Sequence, residues 1–277
     1  MEWMARVESA TCDVLSKAGE LAWLLRQSLY THGQRLSTLH LLGVPSRVLD
    51  VGAGTGALSL DLAWLLGDSA DVIAVDQDGR SLELLSEMAA LLGVSVRTCV
   101  ATAYTLPLDS FSPDLTVARF LFQHLLQPQD ALNEMVRVTA PGGRVAVLAV
   151  DDGVGVAEPP LEPPLQKAFD AIAELQTRNG GNRQVGRHLY RMMRDVGLVD
   201  LQVTVIPRVR LGTYHGRSME LEHHHRLFLE EHRSDLLAEG LMTETAFSRA
   251  MAVLSESFGE DRFEFRSEFL AIGRVPQ

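Results

Sequence analysis

Cysteine is nearly missing from this chain: Cys12 and Cys99 are the only two among 277 residues. That excludes a disulfide framework and a thiolate zinc cluster, and it makes a reducing cytoplasm the default compartment, with both thiols structural. Basic residues are also short, 25 against 36 acids for a formal net charge of −11, so there is no surplus to neutralise a nucleic-acid backbone. No stretch reaches the roughly 18 uncharged apolar residues that span a bilayer. The opening MEWMARVESATCDV carries early acids and no long apolar run. Nucleic acid and membrane are thereby set aside as main partners, and a small molecule is left; oligomeric state has no signature in the sequence.

What the chain has in plenty is apolar side chains, 46% of all residues, enough for a full core in one large domain with an inserted cap. The organising stretch is RVLDVGAGTG, Arg47 to Gly56. Val48, Leu49 and Val51 read as a buried strand that runs into three alternating glycines, and ALSLDLAWLL, Ala57 to Leu66, follows at helical spacing. Strand, tight turn and helix make a ligand site, because Gly52 and Gly54 admit a close backbone approach and the helix N-terminus offers unpaired N–H groups. Gly52, Gly54 and Ala57 also satisfy the G-x-G-x-x-G/A dinucleotide pattern, and glycine turns occur without any ligand. Asp50 favours a cationic ligand over a pyrophosphate: unit charges near 4 Å attract by roughly 4 kcal/mol at an effective dielectric of about 20.

In chain order, Val7 to Leu29 carries an apolar helical stripe, and a second helix is read at Ser37 to Leu42. Tyr30, His32 and Arg35 between them are candidates for a lid over the glycine turn. Val72 to Val75 reads as a second strand ending at Asp76, where a carboxylate can take both hydroxyls of a ribose, with Gln77 as an adenine neighbour. Gly79 to Leu92 reads as a helix, Val96 to Val100 and Asp114 to Ala118 as strands, Gln129 to Thr139 as a helix stopped by Pro141-Gly142-Gly143, and Val145 to Val150 as a fifth strand. This alternation predicts a parallel sheet with helices on both faces.

LDVGAGTG at Leu49 to Gly56, VDQD at Val75 to Asp78, LPLDSFSPDLTVARFLFQHL at Leu106 to Leu125 and LNEMVRVTAPGGRVAVLAVDD at Leu132 to Asp152 together resemble the class I S-adenosyl-L-methionine-dependent methyltransferases, of the small-molecule type common in bacterial natural-product pathways. The resemblance implies a Rossmann-like α/β fold with a seven-stranded, mostly parallel sheet, its last strand antiparallel, and a helical cap. It implies S-adenosyl-L-methionine as cofactor, with Asp50 and the turn Gly52, Gly54 and Gly56 at its amino-acid end, Asp76 at the ribose, and the Ala118-Arg119 backbone at the methionine moiety. Where the family usually has an acidic residue against the adenine amino group, this chain reads Ala101-Thr102-Ala103, so Thr102 and Ala103 border the adenine and Thr102 accepts through a hydroxyl.

Asp151 to Pro164 (DDGVGVAEPPLEPP) reads as a loop, Leu165 to Gln176 and Gly186 to Leu198 as helices, Leu201 to Ile206 as a strand, and Phe265 to Ile272 as the last strand. About 60 intervening residues, with helices at Arg217 to His232 and Thr243 to Phe258, are far longer than a hairpin connection needs. The expected organisation is an N-terminal helical lid at 1–46, a core at 47–206 and 265–277, and an inserted substrate cap at 207–264. Methyl transfer is a direct displacement, so alignment supplies most of the acceleration and a base serves only an acceptor that still holds its proton. His124, just after the fourth strand, is the candidate base; Tyr30, Asp152, Tyr214 and His215 are candidates for the acceptor. His223, His224 and His225 diverge by about 100° per residue on a helix, which speaks against a three-ligand metal site. The competing functions are an NAD(P)-dependent oxidoreductase and a catalytically silent partner protein of the same fold.

Overall fold

The computed structural model describes residues 2–108, 112–211, 218–254 and 262–277, without the side chains of 210–211 and 218–224. Seven strands, β1 (Arg47–Val51), β2 (Asp71–Asp76), β3 (Arg97–Val100), β4 (Leu115–Arg119), β5 (Arg144–Glu158), β6 (Val199–Leu211) and β7 (Phe263–Arg274), form one sheet in the order β3-β2-β1-β4-β5-β7-β6. β1 to β5 run parallel, and β7 enters antiparallel between β5 and β6. The expected Rossmann-like sheet is therefore present.

Alternation along β1 distributes the core. Leu49 and Val51 face one layer, with α6 (Pro128–Val138) and α8 (Leu189–Asp195) packed on it. Val48 faces the other, against α3 (His32–Leu39) and α4 (Ala57–Leu66). α5 (Gly79–Leu92) lies on that same side, where α1 (Glu2–Ala18) and α2 (Ala22–Tyr30) cover it together with α4. A separate apolar cluster joins α7 (Pro163–Arg178), α9 (Ser218–Ala238) and α10 (Glu244–Ala252). The helical layer above the sheet thus draws α7 from before β6 as well as the segment between β6 and β7. Among the described residues no helix is long and apolar enough to cross a membrane.

Several boundaries differ from the sequence reading, each for a local reason. The helix expected from Val7 to Leu29 breaks at Gly19, whose positive φ of +54° begins a 3-10 turn through Leu21. Of the Ser37 to Leu42 segment, α3 ends at Leu39 and a 3-10 turn completes it. The segment from Gly186 to Leu198 contributes only α8, preceded by a 3-10 turn at Val185–His188. Thr243 caps α10 by accepting the Ala246 N–H at 3.2 Å, and α10 runs to Ala252; residues 255–258 of the expected helix lie outside the described residues.

The largest difference is the expected loop after Asp151: β5 continues to Glu158, paired with β7 through a bulge between Val150 and Gly155. Gly155 is required there, because a Cβ would lie 2.8 Å from the Phe265 carbonyl oxygen and 3.2 Å from Arg266 Cδ. Glycine marks a close strand approach here rather than a loop. β6 and β7 extend correspondingly past the expected spans, so a three-stranded ribbon of β5, β7 and β6 rises beyond the end of β4.

Candidate active site

β1 delivers the chain into the glycine turn, where Gly52 and Ala53 donate their N–H groups to the Val75 carbonyl at 2.8 and 3.0 Å. Gly52, Gly54 and Gly56 have φ of +72°, +54° and +84°. Their needs differ. A Cβ on Gly52 would meet the Leu121 side chain at 2.8 Å and one on Gly56 would meet Leu85 at 2.3 Å, whereas one on Gly54 would meet nothing within 4 Å. Gly56 makes room for the fold; Gly54 faces open space. Its N–H donates to Asp76 Oδ2 at 2.7 Å, while Asp76 Oδ1 accepts from Asp78 N at 3.0 Å. Asp78 in turn caps α5 by accepting from Arg80 and Ser81 N–H groups. One carboxylate at the tip of β2 thereby ties the glycine turn to the next strand. Asp50 lies beneath the turn, 1% exposed, and accepts from Ser59 Oγ at 2.6 Å. Burial pushes its carboxyl up to about 6 in spite of that bond.

Beside the turn lies a cavity of about 400 Å³. Gly52 to Thr55 form its floor; Trp23, Gln27 and Tyr30, spaced along one face of α2, form a wall. Phe169 and Ile172 of α7 and His225 and Phe228 of α9 form the roof. The Trp23 and Phe228 rings meet at 5.6 Å between centroids, so α2 and α9 close on each other over the cavity. β4 ends in Arg119 and Phe120, both on the cavity. Phe120 holds a φ of +56°, rare for a bulky residue and worth roughly 1–3 kcal/mol of strain. Gln123 Nε2 donates to its carbonyl at 2.8 Å and secures that turn.

His124 follows on the same rim. Gln176 fixes its tautomer: the Gln176 Oε1 accepts from Arg183 Nη1 at 3.0 Å and its Nε2 donates to the Gln123 carbonyl at 2.5 Å, so Nε2 also donates to His124 Nδ1 at 3.3 Å. The ring proton of neutral His124 then sits on Nε2, making that nitrogen a donor. Burial, then Arg183, then His232 pull the imidazole down to about 4, and it is neutral near pH 7.

Of the residues singled out from the sequence, Tyr30, Gly52, Gly54, Arg119, His124 and Asp152 meet around this cavity. Asp50 and Ala118 are buried beneath it. Asp76, Gln77, Thr102 and Ala103 stand at the tips of β2 and β3, outside the cavity and next to the turn; Ala101 N bonds the Asp76 carbonyl at 3.0 Å, and Thr102 is exposed and bridged to Thr105. Tyr214 and His215 lie outside the described residues, as do the side chains of His223 and His224. His32 and Arg35 do not reach the cavity. Arg35 Nε donates to Asp61 Oδ2 at 2.5 Å, Trp3 Nε1 donates to Asp61 Oδ1 at 2.8 Å, and His32 stands 3.5 Å from the same carboxylate. This buried ion pair pins the N-terminal helices to α4. Among the described residues no group of three His, Cys, Asp or Glu side chains is placed to hold a metal.

Sequence reasoning missed the charged side of the cavity. Arg208 of β6, Glu264 and Arg266 of β7, and Arg262 just before β7 line it, with Glu268 buried behind them. The signal was present as the alternation RFEFRSEF at Arg262 to Phe269, a period-two pattern whose charged members share one face. Arg183 is paired with Asp152, and Asp151 takes Arg187 at 2.6 and 2.7 Å. Burial pulls Arg119 down to about 10, so it remains cationic at neutral pH.

Residues 49–147 match the family described as "Methyltransferase domain". The chain is similar to the ubiquinone/menaquinone biosynthesis C-methyltransferase UbiE of Azotobacter vinelandii, 36% identical over 115 residues that cover 40% of this chain and 46% of that one. It is also similar to the demethylmenaquinone methyltransferase of Thermus thermophilus, 35% identical over 118 residues, 42% of this chain and 52% of the other. The chain thus matches about half the length of these relatives. In structure it resembles a Haemonchus contortus phosphoethanolamine N-methyltransferase solved with phosphomonomethylethanolamine and S-adenosylhomocysteine, with a TM-score of 0.53 at 19% identity, covering 88% of this chain and 53% of that one. A sarcosine dimethylglycine methyltransferase from Galdieria sulphuraria, named as putative, gives 0.54 at 15% identity, covering 91% and 88%. These two likenesses concern the fold.

Proposed function

We propose, from the premise that this chain belongs to the class I adenosylmethionine-dependent methyltransferases through its domain at 49–147, that it transfers a methyl group from S-adenosyl-L-methionine to a small organic acceptor. The observation that carries this reading is the turn at Gly54: its open Cβ direction and its bond to Asp76 leave a cradle beside a strand-tip carboxylate, next to a cavity with one aromatic and one charged side. The residues present fit the cofactor. Gly52 and Gly54 would hold its amino-acid end, Asp76 would take ribose hydroxyls, Gln77, Thr102 and Ala103 would border the adenine, and the backbone at Ala118-Arg119 would border the sulfonium. When bound, it supplies a methyl carbon activated by a positively charged sulfur.

The chain's own contribution is placement and exclusion of water. Trp23, Phe169 and Phe228 close the cavity with aromatic surface, and a fixed approach of two groups is worth several kcal/mol of barrier by itself. His124, with its proton on Nε2 and its conjugate acid so weak, is suited to donating a hydrogen bond to an acceptor oxygen rather than to removing a proton at neutral pH. Tyr30 and Asp152, both on the cavity lining, would serve as acceptor contacts. The cap residues lie beyond residue 147, outside the family match, and the quinone chemistry stands in the names of relatives that this chain matches over about half their length. A secondary-metabolite acceptor suits a cavity roofed by chain of this protein's own. Free Cys12 and Cys99 suit a reducing cytoplasm.

The test is formation of adenosylhomocysteine from adenosylmethionine over a panel of phenols, amines and carboxylic acids with apolar bodies. Acceptor-dependent product supports the reading; turnover of NAD(P)H in place of adenosylmethionine would replace it with the oxidoreductase.

A further inference from the structure

The acceptor side of the cavity is cationic in a way that methyl transfer alone does not require. Among the described lining residues there are five arginines, Arg119, Arg183, Arg208, Arg262 and Arg266, against the carboxylates Asp152, Asp170 and Glu264. Several of these charges are already matched. Arg183 pairs with Asp152, Arg266 Nε donates to Glu264 at 2.8 Å, and Arg262 Nη1 donates to the Pro159 carbonyl at 2.9 Å. Asp170 accepts from Gln166 on its own helix.

Arg119 and Arg208 are different. Both approach the same buried oxygen, Glu268 Oε1, at 3.7 and 3.6 Å, which is ion-pair distance but too long for a hydrogen bond. Among the described residues, Arg119 Nε and Nη2, Arg208 Nε and Glu268 Oε1 are all buried without a hydrogen-bond partner. The Arg119 side chain is 8% exposed. Two guanidiniums thus share one carboxylate and, among the described residues, keep donors directed to no protein acceptor, a costly arrangement unless an anion completes it.

The ribbon is built for this. The register places Arg208 of β6 directly opposite Arg266 of β7, and Arg266 opposite Gly155 of β5. The missing side chain at Gly155 gives the Arg266 stem its room. The same cavity is also lined by Leu161, Phe169, Ile172 and Phe228, an apolar and aromatic surface. A planar guanidinium fork matches a carboxylate or phosphate in two parallel hydrogen bonds.

We propose that the acceptor is a molecule with an apolar body and one oxyanion group, a carboxylate or a phosphate, which Arg119 and Arg208 receive with their unpartnered donors, Arg266 adding its charge from the register position opposite Arg208, while the body lies against α7 and α9. This rests on the methyltransferase reading and specifies the substrate class of the same site. The anion fixes one end of the acceptor on the rigid sheet, and the aromatic roof holds the remainder toward the glycine turn.

The test is calorimetric titration of the full chain, saturated with adenosylhomocysteine, with three probes of one shape: phenylacetate, phenyl phosphate and the neutral 2-phenylacetamide. The expected result is that at least one anion binds about tenfold or more tighter than the amide, since a charge-assisted pair is lost in the amide. Which anion is preferred separates carboxylate from phosphate. Arg208→Met and Arg266→Met are each expected to erase the preference while adenosylhomocysteine affinity stays within about threefold. Arg266 is half-exposed, so its variant remains informative if removal of Arg208 unfolds the chain. Equal affinity for anion and amide, or a preference that survives in both folded variants, overturns the inference. So does a loss of adenosylhomocysteine affinity beyond about tenfold in Arg208→Met, which would make the cofactor's own carboxylate the anion received. Failure of the unaltered chain to bind adenosylhomocysteine removes the methyltransferase reading itself, an outcome distinct from normal cofactor binding without anion preference.

Discussion

The substitutions Gly54→Ala and Gly56→Ala separate a glycine that serves a ligand from one that serves the fold. Both positions have positive φ, so an alanine at either one costs about 1–2 kcal/mol of backbone strain. At Gly56 the new Cβ would also sit 2.3 Å from Leu85 Cγ, and Leu85 is fully buried. Overpacking there adds about 1–3 kcal/mol, for a total of roughly 2–5 kcal/mol. At Gly54 nothing lies within 4 Å of the new atom, so the stability loss stops at the strain. The effect on the ligand is reversed in order. The Gly54 methyl enters the space where the cofactor's amino-acid end is placed, and a loss of adenosylhomocysteine affinity of about 100-fold or more, near 2.7 kcal/mol, is expected. Urea unfolding of both variants gives the stability difference, and calorimetry on the folded Gly54→Ala protein gives the affinity. Affinity within about threefold of the unaltered chain would refute the assignment of this turn to the cofactor.

Asp76→Ala removes the acceptor for Gly54 N and the proposed ribose contact, so adenosylmethionine and adenosylhomocysteine should weaken alike, by about 1.5–3 kcal/mol; calorimetry with both ligands checks it, and a loss for one alone contradicts the ribose role. Phe169→Ala should lower acceptor turnover with adenosylhomocysteine affinity unchanged, measured as kcat/KM against binding, because Phe169 belongs to the cavity roof and not to the turn. His124, held near 4 in the folded state, is protonated by the unfolded chain first as pH falls from its ordinary 6.5, so its contribution is intact at pH 7 and is lost between pH 6.5 and 4. Because the ring is open to the cavity, the shift is discounted for screening: unfolding at graded pH should show the parent losing about 1–2 kcal/mol relative to His124→Asn over that window. Asp50, raised to about 6 from 3.8, acts with the opposite sign between those two values, but it is common to both proteins and cancels in the difference.

The glycine turn and its carboxylate were legible because they are local. Strand, glycine turn and helix are contiguous from Arg47 to Leu66, and Asp76 ends the next strand, so short-range pattern places them side by side. The charged side of the cavity arises from pairing between β6 and β7, segments more than fifty residues apart, and only their register brings Arg208 to Arg266. The alternation from Arg262 to Phe269 would ordinarily be read with its phenylalanines inward. Here Phe263 is 38% exposed and Glu264 is 5% exposed, because the inner face borders a polar cavity instead of an apolar core. The glycines after Asp151 misled for a related reason: glycine marks a loop and a close strand contact alike, and only the partner strand distinguishes them. His32 and Arg35 read as lid residues from position, yet Asp61, a single acid inside an apolar helix, is the partner that draws them into the core.

The measurement that bears most directly on the central claim is a calorimetric titration of the unaltered chain with adenosylhomocysteine and, separately, with NADPH. Saturable binding of one adenosylhomocysteine per chain, with no heat from NADPH, is the expected result. Saturable NADPH binding without adenosylhomocysteine binding would contradict it and assign the glycine turn to a dinucleotide.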